Sequence, residues 1–236
     1  MEQIVVCIPA FNPTRSLILL LEQLTEYPFR RIVIVDDGSG AKSKEVFKKA
    51  AKFENVDILH LKKNGGKGKA VKTALQYIMK NIPSIQGVLT CGADGQHHIE
   101  DIIKIATTTR IFVDGIILGM RDFDSDNISI VHRIHSQAMA LLFKLLFKKR
   151  IIDFQSGLRF LPYHQLSWIK SCPGDSFHFD TNVLIEAIRR EVPIYELPIG
   201  KVRMSQSSFL QYDEVNHPKL LSAQLLQSYL KKRETF

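Results

Sequence analysis

Cys91-Gly92-Ala93-Asp94-Gly95-Gln96-His97, directly after the apolar run Gly87-Val88-Leu89-Thr90, is the stretch that decides the fold. Upstream, Val35-Asp36-Asp37-Gly38-Ser39 closes the run Ile32-Val33-Ile34 in the same way. Each places carboxylate and glycine just past β-branched or apolar residues. Acidic groups at the carboxyl ends of parallel strands are where α/β proteins bind ligands. Asp94 and the side-chain oxygen of Gln96 are hard donors of the kind that Mg²⁺ or Mn²⁺ accepts while also bound to phosphates.

Outward from these two stretches, short apolar runs alternate with helical periodicity, the pattern of βαβ units. Strands are predicted from Gln3 to Ile8, Arg31 to Val35, Val56 to Leu61, Gly87 to Cys91 and Gly115 to Leu118. Helices are predicted from Ser16 to Thr25, Ser43 to Lys52, Lys67 to Asn81 and Ile99 to Thr109, with Pro83 just past the third. The second half reads as a polar loop over 121–130, a helix from Ile134 to Lys149, and a turn-rich segment from Asp153 to Pro162. A helix from Thr181 to Arg190, an extended segment from Ile194 to Val202 and a tail helical near 219–232 follow. The expected fold class is α/β, a single domain over 1–236 with a mostly parallel central sheet. About 1–120 forms a nucleotide-binding half, about 121–210 an acceptor-side half, and 211–236 a tail.

At 236 residues, with 45% apolar and 24% charged side chains, the chain can bury a sizeable core. No apolar run approaches the length that spans a bilayer, and the amino terminus enters a strand without a signal-peptide layout. The three cysteines, Cys7, Cys91 and Cys172, lack metal-ligand spacing and read as buried thiols of a reducing compartment. A net charge of +8 calls for a partner of negative charge, whether nucleotide, lipid phosphate or an anionic membrane surface. No nucleic-acid-binding signature accompanies it, so nucleic acid is not an expected partner.

Several further groups could carry chemistry. Ile8-Pro9-Ala10-Phe11-Asn12-Pro13 turns sharply at a strand end, which turn chemistry alone also explains. Asp36 and Asp37 could accept hydrogen bonds from a base or ribose, or cap the following helix. Asn64-Gly65-Gly66-Lys67-Gly68-Lys69 opens a helix without P-loop spacing; a phosphate cradle and a solvated turn are both open. His97-His98 lacks a third zinc ligand. Arg121, at a strand end, and Arg133 could fork phosphate oxygens. Asp153, on a glycine-containing turn, could orient a substrate or hold Arg159. In the helix from Ile134, apolar residues cover most of the circumference, and Lys148-Lys149-Arg150 follow. That pattern suits either a bilayer interface or burial on several sides.

Taken in order, Ile8-Pro9-Ala10-Phe11-Asn12, Val35-Asp36-Asp37-Gly38-Ser39, the glycine-rich loop, Ala93-Asp94-Gly95-Gln96-His97, Leu118-Gly119-Met120-Arg121, Arg133 and Asp153-Phe154-Gln155-Ser156-Gly157-Leu158-Arg159 resemble a family-2 glycosyltransferase. The similarity is greatest to the dolichyl- or polyprenyl-phosphate sugar synthases and extends over about 3–210. It implies a nucleotide-diphospho-sugar transferase (GT-A type) fold, a Rossmann-like α/β/α sandwich. Pro9, Phe11, Val35, Asp37 and Lys67 would then lie on the nucleotide-sugar side. Ala93, Asp94 and Gln96 would meet the diphosphate and a Mg²⁺ or Mn²⁺ held by Asp94 and Gln96. Arg121 and Arg133 would hold donor and acceptor phosphates, and Asp94, Arg121, Arg133 and Asp153 would form the catalytic set. The implied reaction is inverting transfer of a sugar from a nucleotide-diphosphate donor to a polyprenyl phosphate. It would take place peripherally at the cytoplasmic, inner face of the membrane, with room for a membrane partner protein. Two positions depart from the family pattern. Gly92 replaces the first acid of Asp-Ala-Asp-Gly-Gln, and Pro13 replaces an acid after the aromatic-Asn pair. These departures motivate an alternative, a relative that binds nucleotide-sugar or lipid phosphate without turnover.

Overall fold

The computed structural model describes residues 1–121, 140–141, 143–154, 156–176 and 178–200. Seven strands form one sheet in the order β3-β2-β1-β4-β6-β5-β7. They are β1 (Ile4–Ala10), β2 (Arg31–Asp36), β3 (Val56–His60), β4 (Gly87–Thr90), β5 (Ile116–Met120), β6 (Arg159–Pro162) and β7 (Ile194–Pro198). Helices α1 (Arg15–Leu24), α2 (Lys44–Ala50), α3 (Lys67–Asn81) and α4 (Ile99–Thr108) connect the early strands. Residues 143–147 form α5, followed by α6 (Leu166–Ser171) and α7 (His178–Arg189).

The central strands are apolar on both faces because helices cover both. Val5, Cys7, Val33 and Val35 face a core shared with Ala70, Val71, Ala74, Leu75 and Ile78 of α3 and with Phe179, Val183 and Leu184 of α7. Their neighbours Ile4, Val6, Ile8, Ile32 and Ile34 face the opposite core, with Leu17, Leu20 and Leu21 of α1, Phe47 of α2 and Ile102 and Ile105 of α4. The period of two along each strand therefore feeds two separate helical layers. All of the predicted helices and strands of the first half are present, shifted at most by a few residues at their ends.

The second half departs from the sequence reading in one consequential way. The segment Asp153 to Pro162 reads as a punctuated turn, yet Arg159–Pro162 is strand β6, inserted antiparallel between β4 and β5. Four residues are too few to show periodicity, and Pro162 sits at the strand's last position, where its missing N–H is tolerated. Because β6 runs against its neighbours, its first residue lies toward their carboxyl ends: Arg159 pairs with Thr90, the last residue of β4, and with Leu118 of β5. The turn before it therefore arrives at the same edge as the carboxyl ends of β1, β2, β4 and β5. Helix α6 is likewise absent from the sequence reading. The predicted loop beyond Arg121, most of the predicted helix from Ile134, and the tail helix lie outside the described residues.

At that edge Gly38 has φ +70°, and a Cβ on it would overlap the backbone of Lys63 and Asn64. The close approach of the two loops requires glycine on both counts. Gly38→Ala should lower stability by about 2–4 kcal/mol. A chemical-denaturation midpoint equal to that of the unsubstituted chain would contradict this.

Candidate active site

The turns after β1 and β2 latch onto one another. The Asn12 N–H donates to Ser39 Oγ at 2.8 Å, and the Gly40 N–H donates to Asn12 Oδ1 at 2.9 Å. Phe11 projects from this edge, 38% exposed, and Pro9 is half-buried. The Val35 side chain is fully buried in the core. Asp36 serves the fold: it accepts from the Ser39 N–H at 2.8 Å and pairs with His60 Nδ1 at 2.8 Å. Burial would raise its carboxyl, but the Ser39 and His60 contacts outweigh burial and hold it low.

Asp37, expected on the nucleotide-sugar side, also binds the backbone of the glycine-rich loop. One carboxylate oxygen accepts from the Gly65 N–H and the other from the Gly66 N–H, both at 2.8 Å. It ties the glycine-rich loop to the end of β2. That loop is also anchored through its far end. The Lys69 N–H donates to the Asp175 carbonyl at 2.9 Å, and Lys72 pairs with the Asp175 carboxylate at 2.9 Å. Lys67 Nζ meets Asp180 at 2.5 Å, its partner lying 113 residues away. The start of α3 is thus a docking point for the 173–180 segment, which no local motif encodes.

After β4 the chain gathers three functional side chains within a few residues. A Cβ on Gly92 would lie 2.9 Å from Asp94 Oδ1 and 2.9 Å from the Gln96 side-chain amide. The two side chains therefore converge on the space that glycine leaves open. The amide's O and N exchange by a simple flip, so one carboxylate and one amide oxygen can face a common point. This donor set suits a Mg²⁺-type ion that keeps waters and takes further oxygens from phosphates. Among the described residues, no group of three or more His, Cys, Asp or Glu side chains could hold a metal unaided. His97 is only 6% exposed, and neither of its ring nitrogens has a hydrogen-bond partner among the described residues. Burial, with Arg121 and Lys67 nearby, pushes it down to about 3, so the ring is neutral. An unpaired buried polar group costs about 1–3 kcal/mol.

Arg121, at the end of β5, is clamped by Asp153. Its Nε donates to Oδ2 at 2.6 Å, its Nη2 to Oδ1 at 2.7 Å, and its backbone N–H to Oδ2 at 3.1 Å. Asp153 therefore holds Arg121, not Arg159. Glu196 of β7 in turn accepts from the N–H groups of Ile152 at 2.8 Å and Asp153 at 3.1 Å. Burial raises the Glu196 carboxyl, and the neighbouring Asp153 charge adds to this. Arg159 is 2% exposed and donates to the carbonyls of Phe154, Ser156 and Asp180 at 2.6, 2.6 and 2.7 Å. Arg133 lies outside the described residues.

The structure thus brings Asp37, Asp94, Gln96, Lys67, Arg121 and Asp153 to one sheet edge, while the Val35 side chain packs in the core. Sequence reasoning weighs His97 only as a zinc ligand, and singles out neither Asp180 nor Glu196 for a role of its own. A buried histidine leaves no signature in sequence, and the other two act through contacts distant along the chain.

A family model described as Glycosyl transferase family 2 matches residues 5–169. An uncharacterised protein of Methanocaldococcus jannaschii is 29% identical over 205 residues, covering 85% of this chain and 82% of that one. The dolichyl-phosphate beta-glucosyltransferase of Saccharomyces cerevisiae is 26% identical, covering 83% of this chain; the match spans 65% of the yeast protein's length. A UDP-N-acetylglucosamine–dolichyl-phosphate N-acetylglucosaminyltransferase of Methanococcus voltae is 25% identical, covering 83% and 84%. Among solved structures, glucosyl-3-phosphoglycerate synthase of Mycobacterium tuberculosis, in complex with Mn²⁺, UDP and glucosyl-3-phosphoglycerate, shares the fold. Its TM-score is 0.67 at 14% identity, covering 97% of this chain and 79% of that one.

Burial alone would raise the Asp180 carboxyl, but Lys67 and Arg159 outweigh it and hold the group below its ordinary 3.8. Its stabilising contribution is therefore complete above about pH 4 and is lost as pH falls through the lower folded value. Asp180→Asn should cost about 3 kcal/mol or more at neutral pH and flatten the acid limb of the stability curve. Acid titration of both proteins by circular dichroism checks this; parallel curves would refute it.

Proposed function

Because the chain belongs to glycosyl transferase family 2, we propose that it moves a sugar from a nucleotide-diphosphate donor to a polyprenyl, dolichyl-type phosphate with inversion at the anomeric carbon. The observation that carries this reading is the convergence of Asp94 and Gln96 over Gly92, on the sheet edge that also carries the Arg121–Asp153 clamp. A Mg²⁺ or Mn²⁺ bound there would neutralise the diphosphate and make it a better leaving group. Asp94 and Gln96 would hold that ion, and Arg121, fixed by Asp153, would orient phosphate oxygens. The action of the yeast and Methanococcus relatives on dolichyl phosphate supports the acceptor class. The Mn²⁺ and UDP bound to the mycobacterial fold neighbour support a metal and a nucleotide donor.

An acceptor phosphate is already ionised at neutral pH, so its oxygen can attack the anomeric carbon as the bond to the nucleoside diphosphate breaks. No strong general base is needed. This agrees with an Asp153 whose two oxygens are both committed to Arg121. The alternative of binding without turnover, motivated by Gly92 and Pro13, draws no support from the relatives.

The reading places the chain at the inner, cytoplasmic face of a membrane. Among the described residues no helix is long and apolar enough to cross one. In α5, Phe143 and Phe147 are buried, while Leu145, and Leu141 just before it, stand 70% and 57% exposed. Lys144, Lys148, Lys149 and Arg150 are exposed beside them, the composition that lies on anionic headgroups. A membrane partner protein is compatible with this surface.

Three outcomes are expected. Purified protein given nucleotide sugars, polyprenyl phosphate and Mg²⁺ or Mn²⁺ should release nucleoside diphosphate. Chelation should abolish release, and Asp94→Asn should lower kcat/KM by about 100-fold or more; metal-independent turnover would overturn the assignment. Gly92→Asp adds a carboxylate at the cost of moving only two flexible side-chain ends, and should lower the metal concentration for half-maximal rate roughly tenfold. Replacing Leu141 and Leu145 together by Glu should weaken co-sedimentation with anionic vesicles about tenfold or more. Unchanged sedimentation would remove α5 from the membrane contact.

A further inference from the structure

We propose that His97 is the hydrogen-bonding partner of a hydroxyl on the transferred sugar, seated in a niche for one oxygen between His97, Lys67 and Gly157. The inference rests on the transferase reading and adds to it a residue that determines which sugar is accepted.

The first support is the ring itself. Each nitrogen of an imidazole ring calls for a hydrogen-bond partner. Both nitrogens of His97 are buried without a partner among the described residues. Buried polar atoms are paired in nearly all folded proteins, so an oxygen that no described residue supplies is called for.

The second is the space beside it. A Cβ on Gly157 would stand 3.7 Å from His97 Nε2 and 3.3 Å from Lys67 Nζ. Thr90 Oγ1 fixes the position of Gly157 by donating to its carbonyl at 2.9 Å. Glycine therefore keeps side-chain atoms off both nitrogens, and an oxygen lodged between them could accept from Lys67 and exchange a hydrogen bond with His97.

Charge decides the class of ligand. Lys67 already faces Asp180 at 2.5 Å, and Arg121 faces Asp153 at 2.6 Å. With these cations each matched by a carboxylate, the niche suits an uncharged oxygen better than a further phosphate oxygen. His97 also follows Gln96 directly, so the niche adjoins the proposed diphosphate site, where the sugar must lie.

The test uses the full chain and whichever of UDP-glucose, UDP-N-acetylglucosamine and GDP-mannose it turns over fastest, together with analogues of that donor each lacking one sugar hydroxyl. For one analogue, the unsubstituted chain should lose about 10- to 100-fold in kcat/KM. His97→Ala should lose a similar factor on the parent donor and lose little more on that analogue, so the two losses do not multiply. Gly157→Ala, which fills the niche, should behave in the same way and covers the case in which His97→Ala fails to fold. Losses that multiply independently at every hydroxyl would assign His97 to a structural water and overturn the proposal. Absence of both binding and turnover for all three donors would sink the transferase reading itself, and this inference with it.

Discussion

Arg159 is the cation on which the site depends. A guanidinium that is 2% exposed gives up its hydration, and burial accordingly depresses its pKa. Desolvation on this scale is tolerated only when every direction of the fork finds an acceptor. Here Nε, Nη1 and Nη2 find the carbonyls of Ser156, Asp180 and Phe154. Those three contacts draw the turn before β6 and the start of α7 onto the sheet edge. The turn carries Asp153, which sets Arg121. The start of α7 carries Asp180, which sets Lys67. One buried cation thus fixes the positions of two others that stand closer to solvent. Lysine, whose three donors share one nitrogen, could not replace a fork that reaches three separate carbonyls.

The legible part of this architecture is the part with local period. Runs such as Ile4-Val5-Val6-Cys7-Ile8 and the 3.6-residue spacing of Val71, Leu75 and Ile78 announce buried strands and an amphipathic helix on their own. Asp94 and Gln96 are legible because both follow a strand end within a few residues. Strand β6 is hidden because four residues beginning with a buried arginine and ending in proline show no alternation. Asp37 is legible as an acid at a strand end, but its hold on a neighbouring loop is not: the sequence does not show that the Gly65 and Gly66 N–H groups, 28 and 29 residues on, reach its carboxylate. The glycines of that loop belong to packing: a Cβ on Gly68 would collide with Phe179, and one on Gly66 with the Asp175 carbonyl.

Three cations at the site are each matched by a carboxylate. Lys67 with Asp180, Lys72 with Asp175, and Arg121 with Asp153 are pairs between elements remote in sequence. Under the proposed reaction these pairs leave part of the diphosphate's charge to be met by a metal ion. That requirement makes Gly92 consequential. A single carboxylate with an amide leaves most of the ion's coordination to water and to the donor, which ties metal affinity to donor occupancy.

The same logic connects the site to the proposed membrane face. Phe143 stacks on Phe154 at 5.9 Å and packs against Phe147 at 4.9 Å, all three rings buried. Phe154 follows Asp153 directly, and its carbonyl is held by Arg159. A rigid path of buried aromatic contact therefore runs from α5 to the carboxylate that clamps Arg121. On the opposite side of the same helix lie Leu145, and Lys144 next to it. A surface seated on lipid through that side would hold Arg121 at a fixed height above the headgroups. A lipid phosphate, unlike a free solute, can be presented only at such a height, so fixing Arg121 there contributes orientation that a mobile acceptor would otherwise have to gain by collision.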